Sequence, residues 1–96
     1  MKIINSKEEF EELIQRKILI DFYADWCGPC KMMSLELDKM DNEIEIAKLN
    51  VDNFGDIARE YKVMSIPCLI LFENGQEIKR NIGYINKEQI VEFIKW

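Results

Sequence analysis

The chain has 96 residues, of which 48% are hydrophobic, and this is enough to build one domain around a single core. It carries 13 basic and 18 acidic residues, and the resulting net charge of −5 argues against nucleic acid or an anionic membrane surface as its main partner. No apolar stretch approaches the ~20 residues of a membrane span, and the N-terminal residues lack the apolar segment of a signal peptide. Three cysteines in such a chain do not indicate a secreted disulfide framework, so we expect a cytoplasmic protein.

The N-terminal part of the chain predicts a strand, a helix and a second strand. Lys2–Ile4 is a candidate edge strand. Ser6, followed three residues later by Glu9, fits a helix capping box. Ile18–Tyr23 is apolar except for Asp21, which predicts a strand buried on both faces. The apolar face of the intervening helix consists of Phe10, Leu13 and Ile14.

The middle of the chain predicts a longer helix, a strand and a short helix. The longer helix follows Pro29 and is apolar enough to lie against a sheet, and we interpret its methionines as core packing. Glu45–Val51 predicts a strand, and Asp56–Tyr61 predicts a short helix. The apolar residues of the longer helix are Met32, Met33, Leu35, Leu37 and Met40.

The C-terminal part predicts a hairpin and a final helix. Cys68–Phe72 is a third apolar strand, and the turn signal Asn74-Gly75 pairs it with Gln76–Ile82. Asn86 begins a capping pattern for the last helix.

The predicted element order is therefore βαβαβαββα. This order indicates an α/β fold in which a central mixed sheet of about five strands, parallel in its middle and ending in an antiparallel hairpin, is flanked by about four helices. The sequence contains no repeat, low-complexity segment or Pro/Gly-rich linker, so residues 1–96 are expected to form a single domain.

Two cysteines lie where the apolar strand gives way to the longer helix, in the segment Trp26-Cys27-Gly28-Pro29-Cys30. Residues three apart are neighbours on a helix surface, and a disulfide requires Cβ atoms only about 4 Å apart. A pair with this spacing at a strand-to-helix junction predicts a dithiol redox site.

The two thiols are not equivalent. Cys27 lies at or just before the first helical turn, where unpaired N–H groups and the helix dipole stabilise a thiolate. Cys30 lies one turn further on and is expected to be more shielded, while Pro29 is tolerated because first-turn N–H groups have no helical partner. We expect the Cys27 thiolate to attack a substrate disulfide and Cys30 then to attack the Cys27 sulfur.

The alternative interpretation of the pair is half of a zinc site. Zinc usually takes four Cys or His ligands, whereas the chain has no His and only Cys68 besides the pair. We therefore predict neither a metal nor a bound cofactor.

Asp21 is a second candidate for chemistry. A carboxylate in an apolar strand is desolvated, which raises its pKa, and we hypothesise that it accepts the proton of Cys30 through water. Lys48, on the neighbouring predicted strand, is a candidate partner of Asp21. The alternative for Asp21 is an ordinary Asp at an exposed strand end. The alternative for Lys48 is a solvated surface lysine.

Two interpretations also stay open at Pro67 and at Cys68. Ile66-Pro67 is either the start of a strand or a cis-proline turn that presents the Ile66 backbone to the sulfurs. Cys68 is either a small buried hydrophobe or a further partner for the dithiol.

Taken together, these segments resemble the thioredoxin family. The string WCGPCK is highly specific, and the matching blocks occur in family order over nearly the whole chain. They are Asp21–Met32, Ala47–Asp52, Ile66-Pro67, Phe72–Gly75 and Gly83.

The resemblance implies the thioredoxin fold and the reduction of protein disulfides, supported by a thioredoxin reductase that draws on NADPH or ferredoxin. It implies Cys27 as nucleophile, Cys30 as resolving thiol and Asp21 as buried carboxylate, with Lys48 beside that carboxylate. The supporting and substrate-binding positions that it implies are Gly28, Pro29, Pro67, Trp26, Ile66 and Gly83.

Four residues depart from the family pattern. Leu35 replaces a frequent proline that kinks the long helix, so a straighter helix is expected. Tyr23 replaces a frequent tryptophan, Ser65 a frequent glycine and Cys68 a frequent threonine, and the last two leave the preference of the substrate loop open.

We expect a monomeric disulfide reductase acting on disulfide-containing proteins. One alternative is a thiol oxidase or isomerase of the same fold, against which Gly28-Pro29 and the missing export signal argue. The other is a non-catalytic binding module that uses the groove beside Trp26 and Pro67.

Overall fold

A computed structural model of the chain describes residues 1–40 and 42–95, and the order of its elements confirms the prediction. The predicted bounds of the strands agree with those observed to within one residue. The elements are β1 (Lys2–Ile3), α1 (Lys7–Leu13), β2 (Ile18–Tyr23), α2 (Gly28–Asp38), β3 (Glu45–Asn50), α3 (Gly55–Glu60), β4 (Cys68–Glu73), β5 (Gln76–Ile82) and α4 (Lys87–Phe93).

The strands form one mixed sheet in the order β1-β3-β2-β4-β5. β3 is parallel to both β1 and β2, whereas β4 is antiparallel to β2 and to β5. β2 is therefore hydrogen-bonded along both edges, and it is almost entirely apolar because cores cover both of its faces. The mixed sheet and its C-terminal hairpin are confirmed.

Helices cover both faces of the sheet, and side chains alternate between them along each strand. On one face, α1 and α3 pack through Phe10, Leu13 and Ile57 against a core that includes Ile20 and Phe22 of β2. On the other face, α2 and α4 cover a core made of Leu19, Met33, Leu37, Met40, Ile46, Leu69, Leu71 and Ile90. None of the helices among residues 1–40 and 42–95 is long and apolar enough to cross a membrane.

The interpretation of the methionines as core packing is confirmed for Met33 and Met40 but is wrong for Met32. Met32 is 54% exposed, and Leu35 on the same helix is 64% exposed. The buried residues Met33, Leu37 and Met40 follow each other at spacings of four and three, which places them on one stripe facing the sheet. The apolar content of the segment predicted the helix, but the 3.6-residue repeat of the helix decides which of its apolar residues face the sheet. α2 runs without interruption from Gly28 to Asp38 past Leu35, the position at which a kinking proline is frequent.

The predicted caps are present, with one difference. The Ser6 hydroxyl accepts a hydrogen bond from the Glu9 N–H, but the Glu9 carboxylate accepts one from Asn5 N–H, so the reciprocal half of the box is shifted by one residue. Asn86 and Gln89 form a complete capping box on α4. The turn between β4 and β5 has positive φ at both Asn74 and Gly75, as a two-residue hairpin of type I′ requires.

Cys68 is a buried, unpaired cysteine of β4. It belongs to the core between the sheet and α1 and α3, where Ile70 and Phe72 of the same strand also point. Burial raises the pKa of its thiol. This position agrees with the interpretation of Cys68 as a small hydrophobe.

We expect Cys68→Ser to lower the free energy of unfolding by about 1–3 kcal/mol, because the new hydroxyl would be buried among apolar side chains without a partner. Cys68→Val keeps an apolar group of similar size and should cost less than about 1.5 kcal/mol. Urea denaturation measures both. Equal stability of the Ser and Val variants would contradict the placement of Cys68 in the core.

Candidate active site

Several chain segments meet at one edge of the sheet beside the cysteine pair. β2 and β3 are parallel and both end at this edge. β4 is antiparallel to β2 and begins there, which places Ile66 and Pro67 at the same edge, and the end of β5 brings Gly83 to it. Open α/β sheets generally bind their ligands at the carboxyl ends of the parallel strands.

Cys27 and Cys30 form a disulfide across the first turn of α2, with their Cα atoms 5.2 Å apart. Cys27 is the N-cap of the helix, and its Sγ accepts a hydrogen bond from the Cys30 N–H at 3.2 Å. Gly28 and Pro29 occupy the first helical positions. Proline lacks an N–H, but no helical hydrogen bond is lost there because first-turn N–H groups have no partner within the helix. The pairing and the location of Cys27 at the helix N-terminus agree with the prediction.

Both cysteines are largely buried, Cys27 with 5% and Cys30 with 2% of its surface exposed. Cys30 is the more shielded residue, as expected, but Cys27 is not an open surface residue. Gly28, which follows Cys27, faces open space, since a Cβ placed there would meet nothing within 4 Å.

The loop before β4 contacts the sulfur of Cys27. The Cys27 Sγ lies 3.9 Å from the carbonyl oxygen of Ile66, and the Ile66-Pro67 bond is cis, the second of the two interpretations left open above. Gly83, with φ of +98°, donates its N–H to the Pro67 carbonyl at 2.8 Å. Glycine adopts such positive φ values without strain. Ile66, Pro67 and Gly83 thus lie together on the Cys27 side of the pair.

Trp26 precedes the pair and is 70% exposed. Its indole Nε1 donates a hydrogen bond to Asp52 Oδ2 at 2.9 Å, and the Asp52 N–H donates to Asn50 Oδ1 at 2.8 Å. Asp52 was not predicted to belong to the site. The available signal was its position two residues after the end of β3, at the edge of the sheet where β2 also ends.

Asp21 is completely buried on the face of β2 that α2 covers, and among residues 1–40 and 42–95 neither of its carboxylate oxygens has a hydrogen-bond partner. Desolvation raises the pKa of this carboxyl group from 3.8 to about 7, against a smaller lowering by the Lys48 charge. The alternative of an ordinary Asp at an exposed strand end is therefore wrong.

Lys48 lies directly opposite Asp21 in the register of β2 and β3. Within the described part of the chain, however, the two side chains do not form the expected ion pair. The Lys48 Nζ instead donates a hydrogen bond to Ser34 Oγ at 3.1 Å and lies 4.3 Å from the centroid of the Tyr23 ring. Lys48 is half-buried, so it is not a solvated surface lysine either. It influences Asp21 through its charge alone.

A cavity of about 90 Å³ opens beside Cys30. It is large enough for water, and Lys48 and Tyr23 line it whereas Asp21 does not. The cavity therefore joins Cys30 to Lys48 but does not extend to Asp21, so the water route predicted between Cys30 and Asp21 stays a prediction. Among the residues that the structure describes, no three His, Cys, Asp or Glu side chains converge on a possible metal position.

The chain is similar to thioredoxins along its whole length. A family model described as Thioredoxin matches residues 1–96. The thioredoxin of Mycoplasma pneumoniae is 44% identical over 96 residues, covering 95% of this chain and 94% of that protein. The oxidised form of mitochondrial thioredoxin 3 from Saccharomyces cerevisiae superposes with a TM-score of 0.87 at 37% identity, over 98% of this chain and 92% of that one. A bifunctional thioredoxin reductase/thioredoxin of Mycobacterium leprae is 42% identical over 80 residues, covering 79% of this chain and 18% of that protein.

The raised pKa of Asp21 makes stability depend on pH. Between about pH 4 and about pH 7 the folded protein holds the proton and the unfolded chain releases it, so the free energy of unfolding falls as the pH rises through this window. At about 1.4 kcal/mol per pKa unit, the loss is on the order of 4 kcal/mol. We expect Asp21→Asn to remove this loss and to be the more stable protein above about pH 7.

Urea denaturation of both proteins at about pH 5 and about pH 8 measures the effect. The difference between the two proteins is the relevant quantity, because carboxyl groups with a lowered pKa, such as that of Glu36, act in the opposite direction. Asp25→Asn, which changes an exposed carboxylate at the mouth of the cavity, is the matched control and should behave like the wild type. An Asp21→Asn protein with the pH dependence of the wild type would contradict the assignment.

Proposed function

The chain belongs to the thioredoxin family and is a thiol–disulfide oxidoreductase, and we propose that it reduces disulfides of other proteins through Cys27 and Cys30. The observation that carries this direction of reaction is the position of Cys27 as the N-cap of α2, with its sulfur on the Cys30 N–H. The helix dipole and this hydrogen bond stabilise a thiolate at Cys27 once the disulfide is reduced.

In the first step the Cys27 thiolate attacks one sulfur of a substrate disulfide. A bond forms between Cys27 and that sulfur, the substrate disulfide breaks, and the second substrate sulfur leaves as a thiolate. Cys27 is the residue for this step because it lies at the open side of the pair, next to Gly28 and the Ile66 carbonyl.

In the second step Cys30 loses its proton and attacks the Cys27 sulfur. The mixed disulfide breaks, the first substrate sulfur leaves as a thiolate, and the Cys27–Cys30 disulfide is restored. Two electrons have then passed from the dithiol to the substrate. We propose that the Asp21 carboxylate takes the proton of Cys30, since its raised pKa lies near neutrality, where a proton acceptor is most effective. Lys48 supports this step through its charge and its place in the cavity.

Trp26, Ile66 and Gly83 are proposed to border the substrate around Cys27. The exposed Trp26 ring is fixed by its hydrogen bond to Asp52, so it offers apolar surface that is already oriented. The Ile66 carbonyl lies beside the reacting sulfur, and Pro67 and Gly83 hold this loop in place through their backbone hydrogen bond.

The disulfide left by the reaction must be reduced again, and we propose a thioredoxin reductase as the partner that does so. A Mycobacterium leprae relative that bears both names in one protein supports this partnership. We further propose that residues 1–96 form a single domain that acts as a monomer in the cytoplasm without a bound cofactor. Trp96, the last of these residues, lies outside the described part of the chain.

Reduction of insulin disulfides with dithiothreitol as electron donor tests the function. We expect the wild type to accelerate the reaction, and Cys30→Ser to accumulate a mixed disulfide through Cys27, because the resolving thiol is missing. Cys27→Ser is the matched control and should neither turn over nor trap substrate. A double Cys27→Ser/Cys30→Ser variant that kept full function in the cell would show a binding module instead.

The role of Asp21 is tested on the second step alone. We expect Asp21→Asn to slow the release of reduced substrate from the mixed disulfide by at least about tenfold near pH 7, because the acceptor for the Cys30 proton is lost. Rapid-quench measurement of the released thiol gives this rate, with Asp25→Asn as control. An unchanged rate would remove Asp21 from the mechanism.

A further inference from the structure

Within the described residues, Lys48 forms no ion pair with the carboxyl group of Asp21, its partner in the strand register. Lys48 and Asp21 are register partners on β3 and β2, and both point toward α2, since the residues flanking each of them belong to the opposite core. Within residues 1–40 and 42–95 the Asp21 oxygens accept no hydrogen bond. The Lys48 ammonium group lies instead against Ser34 of α2 and the ring of Tyr23.

This arrangement requires a restraint on Lys48. A buried carboxylate without hydrogen-bond donors attracts a neighbouring ammonium group strongly, because little water screens the charges. Two contacts compete with that attraction. The Ser34 hydroxyl accepts a hydrogen bond from Nζ at 3.1 Å, and the negative face of the Tyr23 ring lies 4.3 Å away.

We propose that Ser34 is a positioning residue, whose hydroxyl holds the Lys48 ammonium group at the cavity beside Cys30 and away from the Asp21 carboxyl group. The inference rests on the proposed role of Asp21 as acceptor of the Cys30 proton. By withholding the cation, Ser34 keeps Asp21 able to bind a proton near neutral pH. It also presents the ammonium group to the cavity that Cys30 lines.

The other charged or titratable groups around Asp21 do not account for the same effect. Tyr23 of β2 and Cys68 of β4 sense the Asp21 charge, and burial is the first cause that raises the pKa of each of their side chains. Cys30 of α2 is held in the disulfide. The remaining charged residues at the cavity are Asp25 and Lys31, which are exposed to solvent. Lys48 is therefore the cation whose position matters for Asp21.

The test is the titration of the Asp21 carboxyl carbon by NMR in the oxidised protein. In the wild type we expect a pKa of about 7. Ser34→Ala removes the acceptor for Nζ, lets the ammonium group approach Asp21 and should lower its pKa by about one unit or more. Ser34→Thr keeps a hydroxyl at this position and should restore a titration close to that of the wild type.

A second pair of variants separates positioning from a general change in structure. Lys48→Met removes the cation and should raise the pKa of Asp21. In the Lys48→Met background, Ser34→Ala should no longer shift the titration. An unshifted titration in Ser34→Ala, or the same shift with and without Lys48, would overturn the proposal.

The titrations and the proton-acceptor role of Asp21 can fail separately. If Asp21→Asn resolves the mixed disulfide at the wild-type rate, the proton-acceptor role fails while the titrations still decide the role of Ser34. If that role stands, Ser34→Ala should in addition move the pH profile of the resolution step to lower pH, in parallel with the Asp21 titration.

Discussion

The central position of β2 is the constraint on which the site depends. Because β2 is hydrogen-bonded on one side to β3 and on the other to β4, and is covered by helices on both faces, every side chain of Ile18–Phe22 is buried. A charged residue in this strand is removed from bulk water, and Asp21 is that residue. The same strand ends one short loop before α2, so the fixed end of β2 also fixes where the helix begins and therefore where Cys27 lies. The depth of the carboxyl group and the position of the thiol are thus set by one element.

The two sulfurs face different surroundings, and this division suits the two steps of disulfide exchange. Cys27 lies toward the loop of Ile66 and the open space at Gly28, where another protein chain can approach. Cys30 lines the cavity together with Lys48. In the proposed mechanism, a single helical turn therefore separates the attack on the substrate from the transfer of the Cys30 proton. The position of Cys27 at the helix N-terminus favours the charged form of its sulfur, whereas Cys30 is almost completely buried.

Most of the fold was predictable because its signals are local. Periodicity, the caps at Ser6 and Asn86 and the turn at Asn74-Gly75 depend on residues close in sequence, and they determined the element order. The errors arose where the outcome depends on contacts between elements. Met32 and Met33 are identical residues in adjacent positions, and only the orientation of α2 against the sheet decides that Met33 is the buried one. Lys48 was correctly placed beside Asp21 by strand pairing, but its hydrogen bond depends on the approach of Ser34 from a different element, which no local pattern encodes. Asp52 was missed for the same reason, since its contact with Trp26 spans 26 positions of the chain.

The burial of Cys68 protects its thiol from oxidants. Oxidants such as peroxides react with exposed thiolates and convert them through sulfenic acid to forms that cannot be recovered. Cys68 is enclosed in the core beneath α1 and α3, and burial raises the pKa of its thiol, so little thiolate is available at this position. While the Cys27–Cys30 disulfide is closed, the described part of the chain therefore exposes no free thiol through which two copies could become covalently linked.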